Sequence, residues 1–296
     1  MECSACPRSS EPPATGTPEP GTAPGVLRYR GFVLGEGQPC GHLEPPADAV
    51  CLMVLFRGRV TLGSVPGGPV HPAAYDAAVC GLRTHALLSR HGPTLAGVDI
   101  ALAPWAAYRL FGVPMSELSE RVTDAHELLG GSPPGLEGLA LALASLPGWP
   151  DRFALLDRWL TRLMADGPRP APHITQAWQR LTRGPMRMPV AQLARDVGWS
   201  QSQLERRFVQ QIGVTPKTAA RIVRLRRSLG LLSRGRPAAE VAVLAGYYDQ
   251  AHFSREIKTM TGSPARLLQK CAHCSEFLQD RSTPRPAQYF SPVLVR

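Results

Sequence analysis

Ala194-Arg195-Asp196-Val197-Gly198-Trp199-Ser200, followed by Gln201-Ser202-Gln203-Leu204-Glu205-Arg206-Arg207-Phe208, has a second version further along the chain. That version reads Ala242-Val243-Leu244-Ala245-Gly246-Tyr247-Tyr248-Asp249, then Gln250-Ala251-His252-Phe253-Ser254-Arg255-Glu256-Ile257. The matched alanines and matched glycines are 48 residues apart, whereas Leu204 with Phe253 and Gly213 with Gly262 are 49 apart. The second turn therefore holds one extra residue. Each version has the order helix, turn, helix. Gly198 and Gly246 stand where a residue able to take positive φ closes the first helix. Ser200 and Asp249 offer the side-chain oxygen that caps the next one.

The wheel of each second helix separates two faces. Leu204, Phe208 and Ile212 form one stripe, assigned to the core, and Ser202 and Arg206 lie roughly 160° away from Leu204. Glu205 and Val209 flank them. In the second version Phe253 and Ile257 point inward and Ala251, Arg255 and Lys258 outward, with Gln250, His252 and Ser254 at the sides. The spacing predicts two helix-turn-helix units within Val190–Lys270, whose outer faces would enter the major groove of duplex DNA. Arg can grip guanine and Gln adenine with two hydrogen bonds each. Lys258 and the arginines between the units, Arg221, Arg224 and Arg227, would serve phosphates. Arg207 lies near the core stripe, where a structural ion pair competes with a phosphate contact.

Around these units the same logic extends. Ile174, Trp178 and Leu181 predict a leading helix. Pro189 and Pro237 each precede a unit; Leu193, Ala194 and Val197 pack in the first, and Val241, Ala242, Leu244 and Ala245 in the second. Pro216 starts a connecting helix with a buried stripe of Ile222, Leu225, Leu229 and Leu232. Its roughly 25 Å length suits two readers on one face of DNA, where major grooves recur every ~34 Å.

Charge is concentrated in the same stretch. The 296-residue chain carries a net +10, yet residues 171–270 alone hold 17 Lys and Arg against 5 Asp and Glu. The remainder is close to neutral. A localised basic domain is the electrostatic footprint of phosphate neutralisation.

Residues 1–25 are Pro/Ser/Thr-rich and are expected to be a disordered tail. Residues 26–166 form a further expected domain. Tyr29–Leu34, Val50–Phe56, Ala77–Leu82 and Gly97–Leu102 predict strands of a small β sandwich or barrel. Pro104 to Gly112 then reads as a helix with Pro at its start and Gly at its end. Ser116 is placed to cap another helix. Leu136, Leu139, Leu143 and Leu146, and again Phe153, Leu156, Leu160 and Leu163, keep helical spacing. Residues 167–173 are a Pro-rich linker, residues 174–270 the basic domain, and residues 271–296 a C-terminal tail.

Chemistry is sparse. His42, His71, His85 and His91 are scattered, and no metalloprotease, nucleophile-elbow, dinucleotide or phosphate-loop motif occurs. Asp99 within an apolar strand reads as a hydrogen-bonded strand residue. The 7 cysteines are odd in number. Cys3 with Cys6 and Cys271 with Cys274, near His273, have zinc-ligand spacing, but the first pair has no packed scaffold to fix ligand geometry. No metal, cofactor or catalytic residue is expected. No apolar run approaches the ~18 residues of a membrane span, and no basic segment followed by an apolar one opens the chain. A cytoplasmic location is expected.

Ala194 to Phe208, Gly213-Val214-Thr215-Pro216, and Gly246 to Lys258 together resemble the AraC/XylS-type DNA-binding domain, covering both units and the connecting helix. The resemblance implies seven helices and transcription regulation. The expected fold class is thus α+β, a β-rich and helical N-terminal domain followed by an all-α seven-helix domain. It also implies base contacts for Ser202, Glu205 and Arg206, and for Gln250, Ala251, Ser254 and Arg255. Ile257 departs from the family's usual Phe, and Gly262-Ser263-Pro264 is one residue short of its usual pattern. The first unit, through Arg206, is therefore expected to carry more of the discrimination. Gly97 to Pro104 and Leu110 to Leu118 are similar to the N-terminal domain of actinobacterial regulators of this type, and such domains sense a small molecule or dimerise. The expected partners are duplex DNA, a small-molecule effector, RNA polymerase and a second copy, with no membrane. Two other readings stay open: a DNA-modifying or repair enzyme targeted by the same domain, for which Cys40, Cys51 and Cys80 are the thiols within residues 26–166, and a ligand-independent architectural binder.

Overall fold

The computed structural model of the protein describes residues 13–34, 40–64, 68–130 and 135–270. Ten strands occupy its first part: β1 (Ala14–Gly16), β2 (Val26–Leu34), β3 (Cys40–Glu44), β4 (Val50–Arg57), β5 (Val60–Ser64), β6 (Ala73–Tyr75), β7 (Ala77–Cys80), β8 (Leu87–His91), β9 (Leu95–Leu102) and β10 (Val122–Asp124). They make a six-stranded sheet in the order β1-β2-β9-β4-β7-β10 and a four-stranded sheet in the order β3-β8-β5-β6. Every pairing is antiparallel.

The larger sheet is covered on both faces, which explains why its strands read as apolar runs without alternation. Phe32, Met53, Leu55, Ala78 and Cys80 on one face pack against Val60, Leu62 and Leu87 of the smaller sheet. Tyr29, Leu52, Val54, Val79 and Ile100 on the other face meet helices. Those helices are α1 (Pro104–Phe111), α2 (Ala125–Leu129), α3 (Gly135–Ser145) and α4 (Trp149–Ala165). Pro104 starts α1 and Gly112 ends it at φ 71°. Leu136, Leu139 and Leu143 of α3, and Leu156 and Leu160 of α4, are buried as their spacing requires.

Two expectations need correction. Residues 13–25 are not a structureless tail. Ala14, Thr15 and Gly16 pair with Gly31, Arg30 and Tyr29, and Ala23 is buried. The reason is an available edge and a waiting carboxylate. Asp157 on α4 accepts the Tyr29 hydroxyl at 2.6 Å and the Glu19 N–H at 3.1 Å. Gly16 and Gly31 leave room for the rings of Phe153 and Trp149, which a Cβ would meet at 2.5 and 2.0 Å. Residues 1–12, with Cys3 and Cys6, lie outside the described residues, as do residues 271–296 with Cys271, His273 and Cys274. The second correction is Ser116. It caps no α-helix but lies inside a 3-10 turn, Met115–Glu117. The next helix, α2, is capped by Asp124, which accepts the His126 N–H at 2.9 Å.

Seven helices follow: α5 (Pro172–Arg183), α6 (Val190–Asp196), α7 (Gln201–Ile212), α8 (Pro216–Ser233), α9 (Ala238–Leu244), α10 (Gln250–Thr261) and α11 (Ala265–Lys270). Their shared core includes Ile174, Trp178, Leu193, Phe208, Leu225 and Phe253, and it also takes in Leu82 from the strand region. The two parts touch elsewhere. A Cβ on Gly213, at the end of α7, would fall 2.7 Å from the Met115 carbonyl oxygen. Ala171 donates its N–H to Gln211 Oε1 of α7 at 2.9 Å. Arg226 of α8 lies 3.6 Å from Asp48.

Candidate nucleic-acid interface

In the first unit, α6 buries Leu193 and Ala194 and hands over through Gly198 at φ 73°. Ser200 then accepts the Gln203 N–H at 3.2 Å and caps α7. Leu204, Phe208 and Ile212 are fully buried, and burial of such side chains contributes roughly 1.5–3 kcal/mol each. Trp178 of α5 packs beside Phe208, with ring centroids 6.3 Å apart. That inward grip turns Ser202 and Arg206 to solvent, with Glu205 half-buried between them and accepting from Gln201 Nε2 at 2.9 Å. Arg207 is exposed and donates to Gln210 at 3.1 Å, so it is not the structural ion pair weighed from sequence.

The second unit repeats the plan. Gly246 turns the chain at φ 69°, and Asp249 accepts the His252 N–H at 2.6 Å to cap α10. Phe253, Ile257 and Met260 are fully buried. Gln250, Ala251, Ser254, Arg255 and Lys258 are exposed together. Leu244, expected to pack, is 49% exposed; α9 ends there, and the buried positions are Val241, Ala242 and Ala245.

The connecting helix corrects the sequence reading most. Arg221, Arg224 and Arg227 do not stand ready for phosphates. Arg221 Nε and Arg224 Nη2 hold the two oxygens of Glu256 at 2.8 and 2.6 Å. The Arg224 guanidinium also lies 4.4 Å from the centroid of the Tyr247 ring. Arg227 donates to the carbonyl oxygens of Gly184 at 2.9 Å and Thr182 at 2.5 Å, at the end of α5. Glu256 was missed in the sequence. The signal was there: with Phe253, Ile257 and Met260 it completes a helical stripe of buried positions, and a carboxylate on such a stripe needs buried partners. Burial pushes its pKa up, but the Arg221 hydrogen bond and the Arg224 charge outweigh this and hold it below the usual glutamate value. Buried Gln211 on the α7 stripe is the same kind of signal, resolved by the Ala171 N–H.

Among the described residues the first part of the chain holds no reactive arrangement. His42 and His91, scattered in sequence, come together with Nε2 atoms 3.2 Å apart. Burial, then the charges of His91 and Arg30, push His42 down to about 4. His85 pairs with Glu120 at 2.7 Å. Among the described residues no group of three or more His, Cys, Asp or Glu could hold a metal ion. Cys51 and Cys80 are free thiols. Burial drives Cys51 well above the thiol range and Cys80 to about 12, opposite to the thiolate a cysteine nucleophile requires. Among the described residues no helix is long and apolar enough to cross a membrane.

Residues 174–270 match the helix-turn-helix domain family. No curated protein matches the chain. Similar solved structures include an AraC-type DNA-binding domain-containing transcriptional regulator from Chromobacterium violaceum, 24% identical over 34% of this chain and 92% of that one, TM-score 0.33. ToxT from Vibrio cholerae is 11% identical over 81% of this chain and 97% of its own, TM-score 0.46. The C-terminal domain of AraT from Geobacillus stearothermophilus is 20% identical over 40% and 97%, TM-score 0.33. The seven helices, their paired turns and the matched residues define a helix-turn-helix DNA-binding protein. Residues 174–270 form that helix-turn-helix domain, and it makes the chain a DNA-binding transcription regulator.

Proposed function

We propose that α7 and α10 enter two successive major grooves of one DNA face. Ser202, Glu205 and Arg206 meet base edges in the first, and Gln250, Ala251, Ser254 and Arg255 in the second. Lys258 meets the adjoining phosphate. The observation that carries this reading is the paired presentation of exposed polar side chains opposite fully buried stripes on two capped helices. Arg206 and Arg255 are the bidentate donors best suited to guanine. Glu205 repels phosphates and favours a cytosine amino group. Residues 26–166 act as a sensing or dimerisation domain rather than a catalyst. A second copy and RNA polymerase are further partners of a cytoplasmic regulator, and no membrane is involved.

A gel-shift titration on the protein's own upstream DNA tests it. Each lost bidentate contact costs roughly 1–3 kcal/mol of discrimination. Arg206→Ala with Arg255→Ala should therefore weaken specific binding about 100-fold or more while leaving the helices folded. Equal affinity of variant and wild type sinks the proposal. Binding should also fall steeply as salt rises.

A further inference from the structure

Cys51 on β4 and Cys80 on β7 stand directly opposite each other in the antiparallel register of the larger sheet. Directly opposed residues share one face of a sheet, with Cβ atoms roughly 4.5–5.5 Å apart. Both are free thiols. Their face is the inner one, turned to the smaller sheet: Cys80 belongs to the core between the sheets, and Cys51 packs against it. Both also line a narrow cleft in company with Arg83, Glu44 and Asp99. The cleft has room for a water-sized body and not for an organic metabolite. Sequence gives no hint of the pair, since 29 residues separate the two thiols, and DNA reading uses neither.

Two thiols on one buried face are a soft donor set. Thiolate sulfur selects copper(I), zinc or iron–sulfur clusters. Structural zinc and the clusters take four protein ligands. Among the described residues no three His, Cys, Asp or Glu side chains form a metal-holding group, so Glu44 and Asp99 do not complete such a set. Copper(I), a closed-shell ion that two sulfurs alone can hold, fits what is there. Met53, two residues along β4 in the same core, adds a thioether, which is also a soft donor. Arg83 is the independent second observation. It is only 5% exposed, and its Nη2 donates to the carbonyl oxygens of Glu44 and Pro45. Its buried Nε–H meets no acceptor among the described residues. Its positive charge favours the deprotonated form of both thiols, against the burial that keeps them protonated. A monovalent cation held by two thiolates leaves one net negative charge, and sulfur ligands accept hydrogen bonds. A buried guanidinium with an open N–H is a matched neighbour for such a centre.

We infer that Cys51 and Cys80 form a two-thiolate site for copper(I), with Arg83 as the neighbouring counter-charge. Binding forms two sulfur–copper bonds and breaks two S–H bonds. Both protons leave to solvent, and nothing is oxidised or reduced. Only a cation with high affinity for sulfur displaces them. The site abuts the seam with the DNA-binding part. Leu82, two residues beyond Cys80, sits in the apolar core of the DNA-binding helices. Gly81 between them packs so closely on Leu118 that a Cβ would fall 2.0 Å from its carbonyl oxygen. The chain thus runs from the thiol into the helices without slack. A copper effect on DNA affinity rests on the sensing role proposed above for residues 26–166; the site itself does not.

The test uses the full chain, reduced and under nitrogen, with Cys3, Cys6, Cys40, Cys271 and Cys274 each replaced by Ser. Cys51 and Cys80 are then the remaining thiols. Copper(I) is titrated against the chelator bicinchoninate, and copper kept by the protein is read as loss of the coloured chelate. One equivalent per chain should be kept, with an ultraviolet sulfur-to-copper charge-transfer band, and an equivalent of zinc should not displace it. Cys51→Ser and Cys80→Ser should each lose the retention and the band; circular dichroism checks that they are folded. Arg83→Met should keep the band and weaken retention about tenfold or more; unchanged retention there overturns the role of Arg83. No retention, displacement by zinc, or undiminished retention in either folded Cys→Ser variant overturns the site. Gel shifts on the protein's own upstream DNA are then run with and without one equivalent of copper(I). Affinity should change in the parent and not in Cys51→Ser. If copper is kept but affinity stays the same, the site stands and the sensing role falls.

Discussion

The first helix-turn-helix unit is gripped from outside its own domain, and the second is held from within. At the end of α7, Gly213 lies against Met115 and Ser119 of the strand-bearing part, and Gln211 accepts the N–H of Ala171 from the preceding segment. The outward residues Ser202 and Arg206 stay exposed, so this grip leaves the reading face open. In α10 the chain instead has Glu256 at the position that matches Arg207, 49 residues on. There the carboxylate ties α10 to Arg221 and Arg224 of the connecting helix. Matching local patterns thus serve different duties. The first unit is tied to the N-terminal part, and the second to α8.

The largest effect that can break this comparison is on sequence discrimination. Arg206→Ala alone should cost roughly 1–3 kcal/mol of preference for the specific site, and Arg255→Ala less. Competition titrations with specific and random duplexes measure both. Equal losses would erase the asymmetry.

Next comes Glu256→Ala. Removing one partner of a buried pair leaves the other charges uncompensated; with Arg221 partly exposed, a loss of about 2 kcal/mol in urea unfolding is expected. The sign with pH follows from the lowered pKa of Glu256. Its stabilisation is present above the ordinary glutamate range and is lost as pH falls through the depressed folded value. Glu256→Gln should therefore unfold with a weaker dependence on acid than the wild type. No such difference would show that Glu256 is a bystander.

A smaller effect separates the two helix ends. Gly213 and Gly262 both have positive φ, 103° and 71°. Replacing either by Ala costs about 1 kcal/mol or slightly more in backbone strain. Gly213→Ala also drives a Cβ into the Met115 carbonyl. It should lower the thermal midpoint more than Gly262→Ala, and an equal drop would mean the seam yields freely.

Much of the DNA-binding part was legible because its signals are local. Caps at Ser200 and Asp249, positive-φ glycines and apolar stripes are set by residues three or four positions apart, and all but Leu244 stand where the pattern puts them. Among the strands of the N-terminal part only the runs of the larger sheet stood out. The smaller sheet was missed because Cys40-Gly41-His42-Leu43-Glu44 and Leu87-Leu88-Ser89-Arg90-His91 mix polar and apolar residues without an apolar run. Ser116 misled because a serine followed by acids suits a helix start as well as a 3-10 turn.

By itself, then, the sequence determined the paired units, their exposed polar faces and the basic domain that carries them, since each follows from short-range stereochemistry and composition. Tertiary structure alone decided what holds those units. Glu256 meets arginines 32 and 35 residues away, and Arg83 and Asp99 come to share one cleft with Arg28 and Arg30. Such pairings are chosen by which buried charges the folded chain can neutralise together, and no periodicity along the chain records them.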